Sequence, residues 1–418
     1  MSANSSGQPS PIAARLQQGF SALSERNYRL FWTGQLISLT GTWMQTTAQA
    51  WLVLQLTDSP AALGLVAVCQ FLPITLLSLF AGVISDRFPR YRLLVGTQVA
   101  FLLQALVFGL LTATGHIQLW HVYGLAALQG VITAIDNPTR QAFVPELIGR
   151  ERLANAVALN SLLFNGARIV GAAFGGLIIA QVGIAPALLL NAASFVAVIT
   201  ELLRMDTRGF RAPAELTSQS VLGQVLEGLT YVVRTPRVLT ILLIVTFVGT
   251  FAYNFSVVLP LLAGYVLHTD AAGFGGLSAF LGVGSLVAAL VMAFSQQVAM
   301  RRLVFGASGF SFLLGLLALS RSYSLSVVLL ALLGFMGIIF ATSANTLLQL
   351  TVPDRLRGRV MSLYILLFVG STPIGSLIIG SLSSLIGAGE ALLVCAVTAF
   401  AGVVGASLYL WRVNHRSA

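Results

Sequence analysis

Lysine is absent from this chain of 418 residues; all 23 basic residues are arginine. Charge is scarce, at 9% of residues against about 25% in a soluble domain, too little to cover a water-exposed surface. That excludes an ordinary cytosolic enzyme, a nucleic-acid-binding domain and a disordered chain. Only two cysteines occur, Cys69 and Cys395, both inside apolar runs, which excludes a disulfide framework and a cysteine metal site. His116, His121 and His268 read as solvated loop histidines, so no metal is expected. There is no Walker loop, which excludes direct ATP drive. Gly273-Phe-Gly275-Gly276 opens an apolar run without the preceding strand that a dinucleotide site requires, so no cofactor is expected. No nucleophile–base pair suggests a membrane enzyme. Residues 1–27 lack the apolar core of a signal peptide.

What is abundant is apolar sequence: 57% hydrophobic residues. A membrane helix takes roughly 20 apolar residues. Runs near 29–54, 61–85, 93–114, 119–136, 156–181 and 185–204, then 238–264, 273–295, 303–320, 325–347, 361–385 and 389–411, predict an all-α integral membrane protein of twelve helices. Twenty-one arginines fall in one set of connections and tails, Arg321 alone in the opposite set, and Arg168 inside a run. By the positive-inside rule both termini are cytoplasmic, in the inner or plasma membrane. The longest connection, 205–237, separates a six-helix half at 1–204 from another at 238–418. Its stretch Ser220–Arg237 places Val221, Leu222, Val225, Leu226, Leu229, Val232 and Val233 on one broad face, as in a helix lying on the bilayer surface.

The halves echo one another. Gln141-Ala-Phe-Val-Pro145-Glu146-Leu-Ile-Gly149-Arg150, in the connection after run 4, is matched by Gln349-Leu-Thr-Val-Pro353-Asp354-Arg-Leu-Arg-Gly358-Arg359 after run 10. A weak parallel repeat of this kind marks transporters built from two similar halves. Gly82-Val-Ile-Ser-Asp86-Arg87-Phe-Pro-Arg90-Tyr-Arg92, after run 2, resembles the G-x-x-x-D-R-x-x-R-R/K motif of the major facilitator superfamily. With Asn27-Tyr-Arg-Leu-Phe-Trp-Thr-Gly-Gln35 and Asp136-Asn-Pro138-Thr-Arg140, it is similar to the branch of enterobactin exporters and macrolide-efflux-like proteins. That resemblance implies a two-half fold working by alternating access.

Asp86 at a helix C-terminus opposes the helix dipole and needs a partner. Gly82, Asp86, Arg87 and Arg90 are therefore expected to form a cytoplasmic latch toward the start of run 11 near Gly358. Arg168, costing about 2.5–3.5 kcal/mol at a bilayer centre, should face protein or water, with Asn165 one turn away. Gln35, Ser38, Thr42, Gln45 and Gln49 share one helical face and should line a substrate cavity, since amides facing lipid lack partners. Gln70 and Gln129, and Asn254, Asn345 and Tyr364 from the other half, are assigned to the same cavity; for each, a structural hydrogen bond between helices is the competing role. Gly171, Gly175 and Gly176 permit close helix packing; the run resembles the antiporter motif G-P-x-x-G-G with Ala172 in place of proline. Proton coupling is implied by the resemblance rather than by a visible mid-membrane acid, and Asp136 is the candidate carrier. The partners expected are a small-molecule substrate, the lipid bilayer and protons, with no nucleic acid and no obligatory oligomer. Export of a siderophore-like or drug-like amphiphile is the leading expectation. Movement of lysophospholipid, or a non-transporting sensor or channel, are the alternatives.

Overall fold

The computed structural model describes residues 21–208, 221–293 and 299–416; every regular element among them is helical. The first set comprises α1 (Arg26–Leu56), α2 (Pro60–Arg87), α3 (Arg90–Ala113), α4 (Leu119–Leu147), α5 (Leu153–Val182) and α6 (Ile184–Leu203). A linker helix follows, α7 (Val221–Arg234). The second set comprises α8 (Pro236–Phe251), α9 (Phe255–Leu261) with a π turn at Leu262–Val266, α10 (Ala271–Ala293), α11 (Met300–Leu319), α12 (Tyr323–Thr351), α13 (Asp354–Phe368), α14 (Thr372–Ile386) and α15 (Ala388–Arg416).

Among the described residues ten segments are long and apolar enough to cross a membrane. The two remaining long helices, α1 and α4, fall short because polar side chains interrupt them. Those side chains point inward: Gln35, Ser38, Gln45, Thr47 and Gln49 of α1, and Gln129, Asp136 and Thr139 of α4, are all buried. The outer surface instead presents large apolar residues such as Leu76, Leu103, Phe174, Phe312 and Leu385. A soluble protein does not tolerate such continuous apolar exposure.

Both sets pair their helices alike. In the first, α2 packs on α4, α3 on α4 and α6, and α1 on α5 and α6. In the second, α10 packs on α12, α11 on α12 and α15, and α8 on α15 and on α13–α14. Each set also makes one single-residue corner. Gly183, at φ +97°, joins α5 to α6, and Gly387, at φ +95°, joins α14 to α15. A side chain would strain the backbone at either corner.

The sets meet chiefly through α5 on α10 and α2 on α14. Both contacts are tightest toward the arginine-poor ends. Gly176 and Gly275 approach so closely that a Cβ on either would lie 2.9 Å from the other's Cα. Gly64 packs against Gly380 in the same manner, and the Ala61 N–H donates to Ser384 Oγ at 3.0 Å. Among the described residues α4, α12 and α13, which run to the arginine-rich end, make no extensive contact with the opposite set. The bundle is thus closed at its arginine-poor end.

Three expectations are corrected. The connection after run 4 is mostly helix: α4 continues through Pro138 and Pro145 to Leu147, so Gln141–Leu147 is not a loop. Its counterpart contracts to Val352–Pro353 between α12 and α13. Runs 7 and 11, expected continuous, are broken at 252–254 and 369–371. His121, expected in a loop, caps the start of α4, where its Nδ1 accepts from the Gln118 N–H at 3.1 Å.

Candidate functional site

The first set carries two buried polar assemblies. In one, Asn191 Nδ2 of α6 donates to Gln45 Oε1 of α1 at 2.7 Å, and Gln45 Nε2 donates to Gln104 Oε1 of α3 at 3.2 Å. Gln104 Nε2 then reaches the Leu125 carbonyl of α4 at 3.2 Å. Four helices are tied by one chain of amides, each satisfied by the next. Gln45 is therefore a fastening residue in this conformation, 1% exposed. In the other assembly, Asp136 Oδ1 accepts from Thr97 Oγ1 at 2.7 Å and from Gln98 Nε2 at 2.8 Å. Its Oδ2 pairs with Arg140 on the next turn, through Nε at 3.0 Å and through Nη2. Asp136 lies well inside α4 rather than at a helix end, because α4 runs eleven residues beyond it to Leu147.

The other polar residues of this set divide. Thr42 is spent locally on the Ser38 carbonyl at 2.9 Å. Gln35 and Gln49 are buried, and the Oε1 of each lacks a hydrogen-bond partner. Gln129 is buried and Gln70 half-buried. They lie where α2 and α4 touch, since a Cβ on Gly130 would come within 2.2 Å of the Gln70 carbonyl oxygen.

Arg168, on α5, lies at the contact between the sets. Its Nη2 donates to Asn165 Oδ1 at 3.2 Å, and Asn165 Nδ2 donates to the Ser161 carbonyl at 2.9 Å. The guanidinium carbon is 5.9 Å from the centroid of the Trp43 ring, within cation–π range. A Cβ on Gly282 of α10 would stand 3.6 Å from Arg168 Nε, which has no hydrogen-bond partner and is buried. A buried donor of this half-buried cation is thus uncommitted. Tyr253 of the second set is close enough to interact with it electrostatically.

Tyr253 begins an aromatic cluster. Its ring stacks on Phe310 at 5.3 Å, meets Phe255 edge-on at 5.2 Å and lies 5.0 Å from Phe368. Phe368 stacks on Tyr364 at 5.8 Å, and Asn345 lies near the Tyr364 hydroxyl. Asn345 Oδ1 accepts from Gln349 Nε2 at 2.6 Å. Tyr253 sits deep among the helices yet keeps an accessible face, so it lines interior space. The cluster gathers where two helices break. Tyr253 lies between α8 and α9, and Phe368 ends α13 just before the break at 369–371. At the first break Asn254 Nδ2 donates to the Gly249 and Thr250 carbonyls at 3.1 and 2.7 Å, replacing part of the lost helical pairing. Its buried Oδ1 has no partner.

Arg168 and Asn165 thus lie at the contact between the sets, next to Tyr253, whose ring cluster extends within the second set to Tyr364; Asn254 is held on that set's own backbone at the break. Gln45 is held in its network, and Asp136 in its ion pair, within the first set. Trp43, Tyr253 and Phe368 were missed by sequence reasoning. An accessible signal existed in Ala252-Tyr253-Asn254, a polar interruption of an apolar run. The glycines of α5 serve two neighbours. A Cβ on Gly171 would meet the Thr40 carbonyl of α1 at 2.3 Å and one on Gly175 Met44 Cα at 3.1 Å, whereas one on Gly176 would meet the Ala271 carbonyl of α10 at 2.5 Å.

At the arginine-rich end, Arg90 pairs with Glu146 at the end of α4 and donates to the Ala142 carbonyl at 3.4 Å. Arg87 is exposed. Gly82 and Asp86 lie on the last turns of α2, where their side chains are outside the described residues, as is most of the expected apolar face of α7. That helix is clipped to α13 by Glu227, which pairs with Arg355 at 3.6 Å and with Arg359.

Known proteins resemble this chain in architecture and, more distantly, in sequence. The nucleoside transporter NupG superimposes with a TM-score of 0.74 over 92% of this chain and 98% of its own, at 10% identity. A bacterial homologue of the iron transporter ferroportin, in an inward-facing state, gives 0.66 over 93% and 98%, at 18% identity. In sequence, the staphyloferrin A transporter of Staphylococcus aureus is 24% identical over 86% of this chain and 90% of its own. The multidrug efflux pump Tap of Mycolicibacterium fortuitum is 28% identical over 83% and 87%. The enterobactin exporter EntS of Escherichia coli is 26% identical over 73% and 72%. A family model described as transmembrane secretion effector matches residues 17–417. With that match over nearly its whole length, this multi-pass membrane transporter belongs to the transmembrane secretion effector family of the major facilitator superfamily.

Proposed function

We propose that the protein exports a siderophore-like or drug-like amphiphile by alternating access, binding it between the two helix sets. The observation that carries this reading is Arg168, a half-buried cation with an uncommitted donor beside Trp43, facing the aromatic cluster at the breaks of runs 7 and 11. A cation flanked by rings suits an anionic or carbonyl-rich group attached to an aromatic body. Broken helices near the middle of a transporter commonly bound its substrate site. Similarity to exporters of siderophores and drugs supports the direction.

Twelve crossings, with α1 and α4 completing the ten apolar segments, two halves at 1–204 and 238–418, and both termini in the cytoplasm complete the reading. The arginine-rich end then faces the cytoplasm and the bundle is open inward. The latch of Gly82, Asp86, Arg87 and Arg90 would engage when that end closes. Asp136 would take up a coupling proton only in a state that separates it from Arg140.

The test is cellular accumulation of fluorescent amphiphiles and ferric chelates, with wild type, Arg168→Ala and Arg168→Lys at matched membrane levels. Wild type should lower accumulation of at least one probe. Arg168→Ala should lose at least about tenfold in initial rate, equivalent to ~1.4 kcal/mol, and Arg168→Lys should recover part of it. Full activity of Arg168→Ala would overturn the site. No export of any probe, together with lysolipid movement in vesicles, would replace the substrate class.

A further inference from the structure

A cavity of about 570 Å³ opens at the arginine-poor end, far along the bundle from Arg168. Its wall includes Tyr265, His268, Arg321, Ser383, Gly387 and Glu390, with Pro60 contributed by the first helix set. Arg321 is the one arginine of the arginine-poor connections, and Glu390 opens α15 beside it.

The two charges share the cavity without pairing. Among the described residues neither Arg321 nor Glu390 enters an ion pair. Both side chains are exposed to the cavity mouth. Glycines make room for each. A Cβ on Gly387 would stand 2.5 Å from Glu390 Oε2, and one on Gly389 would stand 3.3 Å from an Arg321 Nη.

From this we infer that the cavity is a binding site for a small zwitterion, distinct from the substrate region between the sets. The guanidinium receives the anionic group and the Glu390 carboxylate receives the ammonium. Opposite charges held apart favour a ligand carrying both signs over either simple ion, because each simple ion satisfies one charge and is repelled by the other. The same chemistry is available from a free amino-acid-like solute and from the phosphoethanolamine headgroup of a lipid.

The experiment is calorimetric titration of the purified full-length protein in detergent with γ-aminobutyrate and O-phosphoethanolamine, against acetate and ethylammonium. Saturable binding of a zwitterion, at least about tenfold tighter than either single ion, is expected. Arg321→Gln and Glu390→Gln should each weaken it about tenfold at unchanged melting temperature. The double exchange Arg321→Glu with Glu390→Arg should restore it, since the charge pair is merely reversed. Equal binding of the single ions would overturn the inference, as would indifference to both substitutions or no binding up to about 10 mM. Repetition in nanodiscs separates the sources. Competition by phosphatidylethanolamine, absent with phosphatidylglycerol, assigns the site to a headgroup; unchanged binding in both assigns it to a free solute.

Discussion

The two helix sets pair their helices alike but hold themselves together by different means. The first is fastened by polar chemistry: the Gln45–Gln104–Asn191 chain and the Asp136–Arg140 pair with Thr97 and Gln98. The second is fastened by rings, with Tyr253, Phe255, Phe310, Phe340 and Phe368 in mutual contact. Helices α1 and α5 of the first set are unbroken, whereas their counterparts α8–α9 and α13–α14 are each interrupted near the aromatic cluster. A helix break frees backbone groups that must be satisfied inside the protein. Asn254 does so on one side, and the surrounding rings exclude lipid. The first set thus resembles a braced wall and the second a wall with two joints, with Arg168 at the boundary between them.

This comparison can be broken experimentally. The largest effect is expected at Asp136. Its replacement by alanine leaves Arg140 without its carboxylate and Thr97 and Gln98 without their acceptor. Loss of one partner of a buried pair costs about 3–5 kcal/mol, so a large fall in thermal midpoint and poor yield are expected. Recovery of stability in the Asp136→Ala, Arg140→Met double variant would identify the unpaired charge as the cause. Gln45→Leu comes next. It strands Asn191 Nδ2 and Gln104 Oε1 and should lower stability by about 1–3 kcal/mol, read from thermal melting in detergent. Gly176→Val should act differently from Gly171→Val. The first collides with α10 across the boundary and should hinder closure of the arginine-poor end, visible as a changed distance between labels at 61 and 384. The second collides with α1 within one set and should reduce melting temperature without opening that end. The smallest effect is expected for Tyr253→Phe, which keeps the ring; transport rates should stay within about threefold, ~0.6 kcal/mol. A stability loss there as large as that of Gln45→Leu would erase the distinction between the sets.

Helix existence was legible because apolar runs of membrane length leave few alternatives for the backbone. Connections were less so. Pro138 and Pro145 suggest a loop, yet α4 passes through both; a membrane helix tolerates proline when neighbours satisfy the freed carbonyls. The polar stripe of α1 was legible as inward-facing from its spacing. Which of its amides bond other helices and which remain unpartnered was not, because that depends on Gln104 and Asn191, 59 and 146 residues away from Gln45. Arg168 stood out as a lone cation in an apolar run. Trp43 and Tyr253 did not, since aromatic residues in membrane helices are ordinary and only assembly places these two beside the guanidinium.

By itself the sequence determined that this chain is a helical membrane protein, where most of its helices lie, which set of connections holds the arginines and that its two parts repeat. Those properties follow from local composition and the cost of exposing a backbone to lipid. Tertiary structure alone decided that Asp136 is paired, that Gln45 is a fastening, that runs 7 and 11 break beside an aromatic cluster, and that Arg321 and Glu390 share a cavity unpaired. Each of these depends on which side chains meet across helices distant in sequence, and packing, not local composition, sets those meetings.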